Sequence, residues 1–252
     1  MTGSSFGSEA GDSMSSGDEK NQAFIESDDV MPPHGQFNTT QKPVLKPILK
    51  PKESKPTLGT YTLIKNGKTC VRASLGVEFI VEENKTKSYF NLDPRKTRAT
   101  GYCGGDKALL SLDFEGGNVQ FTFYKEGNVY YVKTLKTFLN PAPPRKGSES
   151  KYYPGVMDHE KLFKADKGLS FKCKSHTTFP MSQNLWLKFV PLQIQAFDFG
   201  SGKFGKEVEC WADYMKRIVP IIVGAVVVGL CLIAVLVYVL VREHRKQGYE
   251  QL

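Results

Sequence analysis

The sequence predicts an all-β domain of antiparallel strands, stapled by disulfides and followed by a single transmembrane α-helix. Three observations predict it. Apolar and polar residues alternate with period two between Gly-Asn turns over 108–139, the signature of a strand meander. Cys70, Cys103, Cys173 and Cys210 all precede an apolar run, an even set suited to an oxidising compartment. The run itself, Ile218 to Val241, holds no charged residue. At about 1.5 Å per residue it spans roughly 36 Å, enough to cross a hydrocarbon core of about 30 Å.

In chain order, residues 1–59 read as an unfolded stalk. Met1 to Met31 is rich in Gly, Ser and acid, with Glu9, Asp12, Asp18, Glu19, Glu26, Asp28 and Asp29 against Lys20 alone. From Lys42 to Pro56 the chain reads KPVLKPILKPKESKP, where repeated proline blocks helix and favours extended backbone. This acidic and then Lys/Pro-rich composition is that of a linker. A proline-motif ligand is the competing reading, and it needs a cytosolic partner. The opening MTGSSFGSEAGDSMSSGDEK has neither a basic n-region nor an apolar h-region. Oxidised cysteines therefore call for a further segment upstream of Met1, or for reverse-anchor insertion.

Residues 60–213 read as the β domain. In ALLSLDF, Leu110, Leu112 and Phe114 alternate with Ser111 and Asp113. EGGN (Glu115 to Asn118) supplies a turn, and VQFTF places Val119, Phe121 and Phe123 on one face. KEGN (Lys125 to Asn128) turns the chain again into VYYVKTLKTFL. LWLKFV (Leu185 to Val190) and LQIQAF (Leu192 to Phe197) give further strand, with Pro191 predicting a break, bulge or edge. PAPPRKGSES (Pro141 to Ser150) reads as a long loop, and no amphipathic helix precedes the membrane span.

The residues do not spell out chemistry. No GxSxG, P-loop, HExxH or dinucleotide fingerprint occurs, so no catalytic residue and no cofactor are expected. There is no CxxC, and His34, His159, His176 and His244 are dispersed, which argues against a metal site. Cys103 in GYCGG resembles a nucleophile beside glycine amides, but among four such cysteines it reads as half of a disulfide. Three pairings of those cysteines are open on spacing alone. Tyr130, Tyr131, Tyr152, Tyr153 and Trp186 could stack on sugars; in strands such residues more often pack as core or cross-strand pairs. The net charge of +8 comes without a zinc finger, RNA-binding signature or basic helix, so nucleic acid is not an expected partner. Two N-x-S/T sequons, Asn38 and Asn84, would carry N-linked glycans if translocated, with Asn84 at the domain surface.

The span at 218–241 implies the lipid bilayer as partner. Ala225 and Gly229 form a small-xxx-small pair that would serve a homo-oligomer through the membrane helix. Pro220 is expected in the first turn, where its missing N–H costs little. Flanking charge is nearly balanced, with Lys216 and Arg217 before the span and Arg242, Arg245 and Lys246 after it. The tail, 242–252, ends GYEQL. Tyr249 and Leu252 have the spacing of a sorting signal that binds as an extended peptide along a sheet edge.

Several segments together resemble one family. YFNLDPRKTRATGYCGG (Tyr89 to Gly105), LFKADKGLSFKC (Leu162 to Cys173) and QAFDFGSGKFGKEVEC (Gln195 to Cys210) are similar to stretches around the second, third and fourth cysteines of the lysosome-associated membrane glycoproteins. The span and the terminal GYEQL extend the resemblance over about 60–252. YFNLDP and VVGLCL resemble the dendritic-cell type. The resemblance implies a β-prism-like luminal domain with disulfides Cys70–Cys103 and Cys173–Cys210, and type I topology. It also implies a tail read by clathrin adaptor medium chains, with Gly248 before the signal tyrosine. The implied function is non-enzymatic: a glycoprotein of lysosomal and late-endosomal membranes that transits the cell surface. It would serve membrane integrity, endolysosomal traffic and fusion, or antigen-loading compartments. Arg95 stands where members often carry asparagine, so the glycan coat would rest on two sequons. One cysteine-paired domain fits the shorter, stalk-plus-one-domain members. The competing class is a cell-surface receptor or adhesion, lectin-like glycoprotein that uses the tail for endocytosis.

Overall fold

The computed structural model describes residues 46–143 and 149–247. Among them are thirteen strands and one long helix. The expected meander is present: β5 (Lys107–Phe114), β6 (Gly117–Glu126) and β7 (Val129–Leu139) pair antiparallel in sequence order. Gly116 and Gly127 take positive φ, +83° and +58°, at the two connecting turns, where a side chain would be strained. Leu110, Leu112, Val119, Phe121 and Phe123 point inward and are fully buried, as the alternation requires. β4 (Thr97–Cys103) extends this sheet beyond β5. At the other edge, β8 (Tyr153–Met157) and β9 (Leu162–Asp166) pair with opposite halves of β7.

The second sheet is organised by two long strands, β2 (Lys68–Glu83) and β12 (Leu185–Ala196). In β2, Val71, Ala73, Leu75, Val77, Phe79 and Val81 are buried at every second position, and Gly76 and Glu78 between them are buried as well. In β12 the buried positions are Leu185, Leu187 and Phe189, then Leu192, Ile194 and Ala196, so the phase slips by one residue at Val190–Pro191. A slip would turn the second half of the strand inside out. The register shift between Phe189 and Leu192 absorbs it, giving a bulge at the expected Pro191 in an interior strand. The Val190–Pro191 peptide is cis. Gly76 faces the bulge, where a Cβ would stand 2.5 Å from the Val190 carbonyl oxygen.

The same point divides the sheet into two wings. On one side of it, β3 (Thr86–Asn91) and β11 (Thr177–Ser182) flank the central pair. On the other side lie β1 (Gly59–Lys65), β10 (Ser170–Cys173) and β13 (Glu207–Glu209). β1 lies beside β4, β11 beside β8 and β10 beside β9, so two wings and the meander sheet form three sides around one core. This is the β-prism-like arrangement that was expected. Phe79, Phe121, Phe189, Leu75 and Leu187 are among the side chains that fill it.

Two features differ from the sequence reading. Residues 46–58 do not stand away as stalk; they form a strap on the domain. Lys50 exchanges two 2.8 Å backbone hydrogen bonds with Tyr89, Pro47 accepts from the Ala142 amide at 2.8 Å, and Pro56 is buried against Gly76. The repeated prolines keep 46–58 free of helix, and backbone held out of a helix can pair with a strand as readily as with water. Secondly, α1 runs from Trp211 to Gln247, beginning seven residues before the apolar run and inside the expected 60–213 domain. Pro220 therefore sits in the helix interior rather than its first turn. A 3₁₀ turn, Pro94–Lys96, precedes β4, with the Asp93 side chain accepting from the Arg95 amide. The expected stalk over 1–45 and the centre of the predicted loop, 144–148, lie outside the described residues.

Candidate functional site at the base of the membrane helix

The domain and α1 meet at a tightly bonded junction. β13 runs parallel to β10, Ser170 opposite Glu207 and Lys172 opposite Glu209, so the departing chain follows a strand of the domain. The Cys210 amide donates to the Lys172 carbonyl at 2.9 Å, and Cys210 is disulfide-bonded to Cys173 with Cα atoms 5.1 Å apart. The helix begins at the next residue. In its first turn, Asp213 accepts the Lys174 amide at 2.5 Å, the Ser175 amide at 2.9 Å and the Ser175 hydroxyl at 2.6 Å. An acidic side chain there also suits the positive end of the helix dipole. One turn on, Lys216 donates to the Ser175 hydroxyl at 2.8 Å, and Arg217 forks onto Glu209 at 2.9 and 3.1 Å.

The outer side of this turn is aromatic. Trp211 and Tyr214 stack with ring centroids 5.8 Å apart, and the Arg217 guanidinium lies 6.0 Å from the Tyr214 centroid. Trp211 is 73% exposed and Tyr214 41%. Amphipathic rings with a cation just ahead of an apolar run occupy the headgroup depth of a bilayer. Beyond them, from Ile221 to Val241, the large apolar side chains of α1 are exposed in the protein alone. α1 is long and apolar enough to cross a membrane.

The second disulfide, Cys70–Cys103, ties the start of β2 to the end of β4, linking one wing to the meander sheet; its Cα atoms are 6.3 Å apart. Of the three pairings open on spacing, the structure carries Cys70–Cys103 and Cys173–Cys210. The sulfurs of Cys173 and Cys210 and a carboxylate oxygen of Asp213 lie within 4.8 Å of one another. Both sulfurs are consumed in the disulfide, so neither offers a thiolate. Cys103, likewise bonded, is no nucleophile.

Asn84 lies in the two-residue turn between β2 and β3. Asn84 and Lys85 have φ of +48° and +63°, as a type I′ hairpin needs, and the sequon side chains face solvent. Asn38, Gly248, Tyr249 and Leu252 lie outside the described residues. Of the aromatic residues weighed as a sugar platform, Tyr130, Tyr131 and Tyr153 are buried, Trp186 is half-buried and Tyr152 alone is exposed. The stacking platform that reading needed is core instead. Tyr130 donates to the backbone carbonyls of Leu169 at 2.8 Å and Ile194 at 3.1 Å, which satisfies its buried hydroxyl.

Sequence reasoning missed an ion pair that organises the strap. Glu78 on β2 and Lys188 on β12 are directly opposed, 2.9 Å apart, and the Glu78 side chain is 0% exposed. Glu53 of the strap bonds the same ammonium, and the Ser54 amide donates to Glu78 at 3.4 Å. Burial pulls the Lys188 ammonium down, but hydrogen bonds to Glu53 and Glu78 outweigh it and leave the group above its ordinary value. The hydrogen bond from Lys188 holds the Glu53 carboxyl below the usual range.

Fold and junction together define the class: a disulfide-stapled β-prism domain set directly on a single apolar helix. Residues 46–211 match the model of the lysosome-associated membrane glycoprotein 2-like luminal domains, and the chain belongs to the lysosome-associated membrane glycoprotein family. Human lysosome-associated membrane glycoprotein 3 is 35% identical over 210 residues, covering 82% of this chain and 49% of its own length. Chicken lysosome-associated membrane glycoprotein 1 is 30% identical over 230 residues, covering 88% and 54%. The chain thus spans about half the length of the curated relatives it matches. The crystal structure of human LAMP-3, also called DC-LAMP, superposes with a TM-score of 0.58 at 34% identity, over 61% of this chain and 99% of that one. The alternative name is that of the dendritic-cell type which the YFNLDP and VVGLCL segments resemble. The membrane-proximal domain of mouse LAMP-1 shares the fold at 24% identity, with a TM-score of 0.55 over 63% and 99%. Both solved chains consist almost wholly of this domain, and the core here closes without any residue of α1. Residues 46–210 thus hold a complete core, and the solved relatives fold as this domain alone.

Proposed function

We propose that this protein is a non-enzymatic, single-pass type I glycoprotein of lysosomal and late-endosomal membranes. The observation that carries the topology is the Cys173–Cys210 disulfide, whose second sulfur belongs to the residue just before α1. Oxidised cysteines mark an oxidising lumen, so the N-terminal side of the helix faces that lumen and the tail faces the cytosol. On this reading Asn84 carries a glycan, Trp211 and Tyr214 mark the luminal headgroup layer, and Arg242 and Arg245 lie at the cytosolic face.

The tail is then an address. Tyr249 and Leu252 fill alternate pockets of a clathrin adaptor medium chain, with the backbone added to a sheet edge and Gly248 leaving room at the entry. The luminal domain contributes bulk, glycan and two disulfides to a membrane lining that withstands hydrolases. It serves endolysosomal traffic and fusion, including antigen-loading compartments. The family membership and the junction support this reading over a cell-surface lectin, whose aromatic platform is mostly buried. Selective permeabilisation tests it. An antibody to the domain should stain only after internal membranes are opened, and then coincide with acidic organelles, while a tail antibody stains once the plasma membrane alone is permeable. The reverse accessibility would overturn the topology, and steady-state surface enrichment would favour the receptor reading.

A further inference from the structure

The strap does more than close the sheet edge. Between residues 46–54 and the domain lies a cleft of about 320 Å³. Its apolar walls are Pro47, Ile48, Tyr89, Phe90 and Phe114. Phe90 and Phe114 pack with centroids 5.5 Å apart and present a continuous aromatic wall. The strap is fixed at both ends of the cleft, by the Lys50–Tyr89 backbone pair on one side and the Pro47–Ala142 hydrogen bond on the other. Ile48, between these anchors, is 66% exposed instead of filling the space beneath it.

The charged lining is unequal. Lys46 is engaged by Asn140 and Ser150, but Lys50 and Lys96 have no ion-pair partner among the described residues. Of the two carboxylates at the lining, Asp93 accepts from the Arg95 amide and lies 3.7 Å from its guanidinium, and Glu115 has no ion-pair partner among the described residues. Free cations beside an apolar, preformed cleft favour a ligand with an apolar body and a negative head. The volume is at the lower end of the range for ligand pockets, roughly 300–1,000 Å³. It suits one chain and not two.

We propose that this cleft binds a single-chain anionic amphiphile, with the alkyl chain against Phe90, Phe114 and Ile48 and the head between Lys50 and Lys96. The site is separate from the sorting tail and stands or falls independently of it.

Titration of the isolated 46–210 domain with n-alkyl sulfonates, lengthened one methylene at a time, tests the idea by calorimetry and by the methyl NMR signal of Ile48. Binding should be saturable below the micellar range. Affinity should rise about fourfold per added methylene until the cleft is full and then level off. Chain-matched alkyltrimethylammonium and alkyl glucoside should bind at least tenfold more weakly. The double variant Lys50→Glu/Lys96→Glu should lose at least tenfold in sulfonate affinity with an unchanged melting temperature. Ile48→Asp, at a position too exposed to matter for the core, should also weaken binding, and Lys164→Glu, an exposed side chain on β9 away from the cleft, should not. Equal binding of the three heads would overturn the proposal. So would onset only at micelle formation, a dimer that excludes the probe, or wild-type affinity in both cleft variants.

Discussion

Asp213 and Ser175 are bonded twice, through the Ser175 amide at 2.9 Å and its hydroxyl at 2.6 Å, so the first turn of the membrane helix is fastened to the loop after β10. With the Lys174 amide on the other carboxylate oxygen, one side chain satisfies two backbone donors. Asp213→Ala should leave both N–H groups to water, at a local cost of about 1–3 kcal/mol. Hydrogen exchange at Lys174 and Ser175 should accelerate while the melting of the β domain stays nearly constant. Unchanged exchange would show that the contact does not hold the junction.

The Cys70–Cys103 bridge closes a sequence separation of 33 residues between one wing and the meander sheet. Chain entropy for such a loop corresponds to about 4 kcal/mol, within a usual range of ~2–5. Cys70→Ser should lower the unfolding free energy of the domain by about that much in a denaturant titration. A coincident unfolding curve would argue against the bridge as a stabilising element.

Lys188 and Glu78 form a buried pair, and the two partners should respond differently to truncation. Lys188→Met leaves the fully buried Glu78 carboxylate without its cation and should cost about 3–5 kcal/mol. The double variant Glu78→Leu/Lys188→Met should recover much of that loss, because replacing both charges removes the uncompensated one. A double-mutant cycle gives the coupling. Additive losses would mean that the charges act separately.

Glu83 supplies a pH dependence on the acid side. It accepts from Lys151 at 2.8 Å and from the Tyr153 hydroxyl at 2.9 Å. The Lys151 hydrogen bond, aided by Tyr153, holds the carboxyl below its ordinary 4.5. The contribution is therefore fully present above that ordinary value and fades only as pH falls through the depressed one. The destabilisation caused by Glu83→Gln should be constant from neutral pH down to about 4.5 and shrink below it. Burial, with the hydrogen bond to Glu83 second, pushes the Tyr153 phenol up to about 12. The linkage of that group has the opposite sense, since stability is lost as pH rises from 10 towards 12. Melting curves against pH, with a carboxyl titration by NMR, check both ends. A Glu83 midpoint at or above 4.5 would contradict the assignment.

Much of this molecule is legible in its residues because period-two burial is a local code. Phe121 and Phe123 on β6 declare their face, and so do Leu110 and Leu112 on β5. β2 carries a long alternation of its own, yet its residues read only as part of a β-rich region, although Asn66-Gly67 just before it is a hairpin signal and both residues take positive φ, 52° and 72°. The prism shape depends on β2 and β12 changing partners around Gly76 and Pro191, a pairing between residues more than a hundred positions apart that no local pattern announces. The strap was misread for a related reason. Lys-Pro repeats specify an extended backbone but not whether Tyr89 or water takes its hydrogen bonds. At the junction, Asp213 two residues beyond the helix start is a legible helix-initiation signal. The apolar run, beginning at Ile218, masks it by suggesting a later helix start. The partners Ser175 and Glu209 are fixed by tertiary structure alone.

On the proposed topology the chain beyond α1 faces the cytosol and directs the protein to lysosomes through Tyr249 and Leu252. The most direct measurement is the steady-state distribution of full-length Tyr249→Ala beside the unaltered chain, by surface biotinylation and imaging against an acidic-compartment dye. The account predicts that the unaltered chain resides in acidic organelles and that the variant accumulates at the cell surface, still folded and still glycosylated at Asn84. An identical distribution of the two proteins would contradict it.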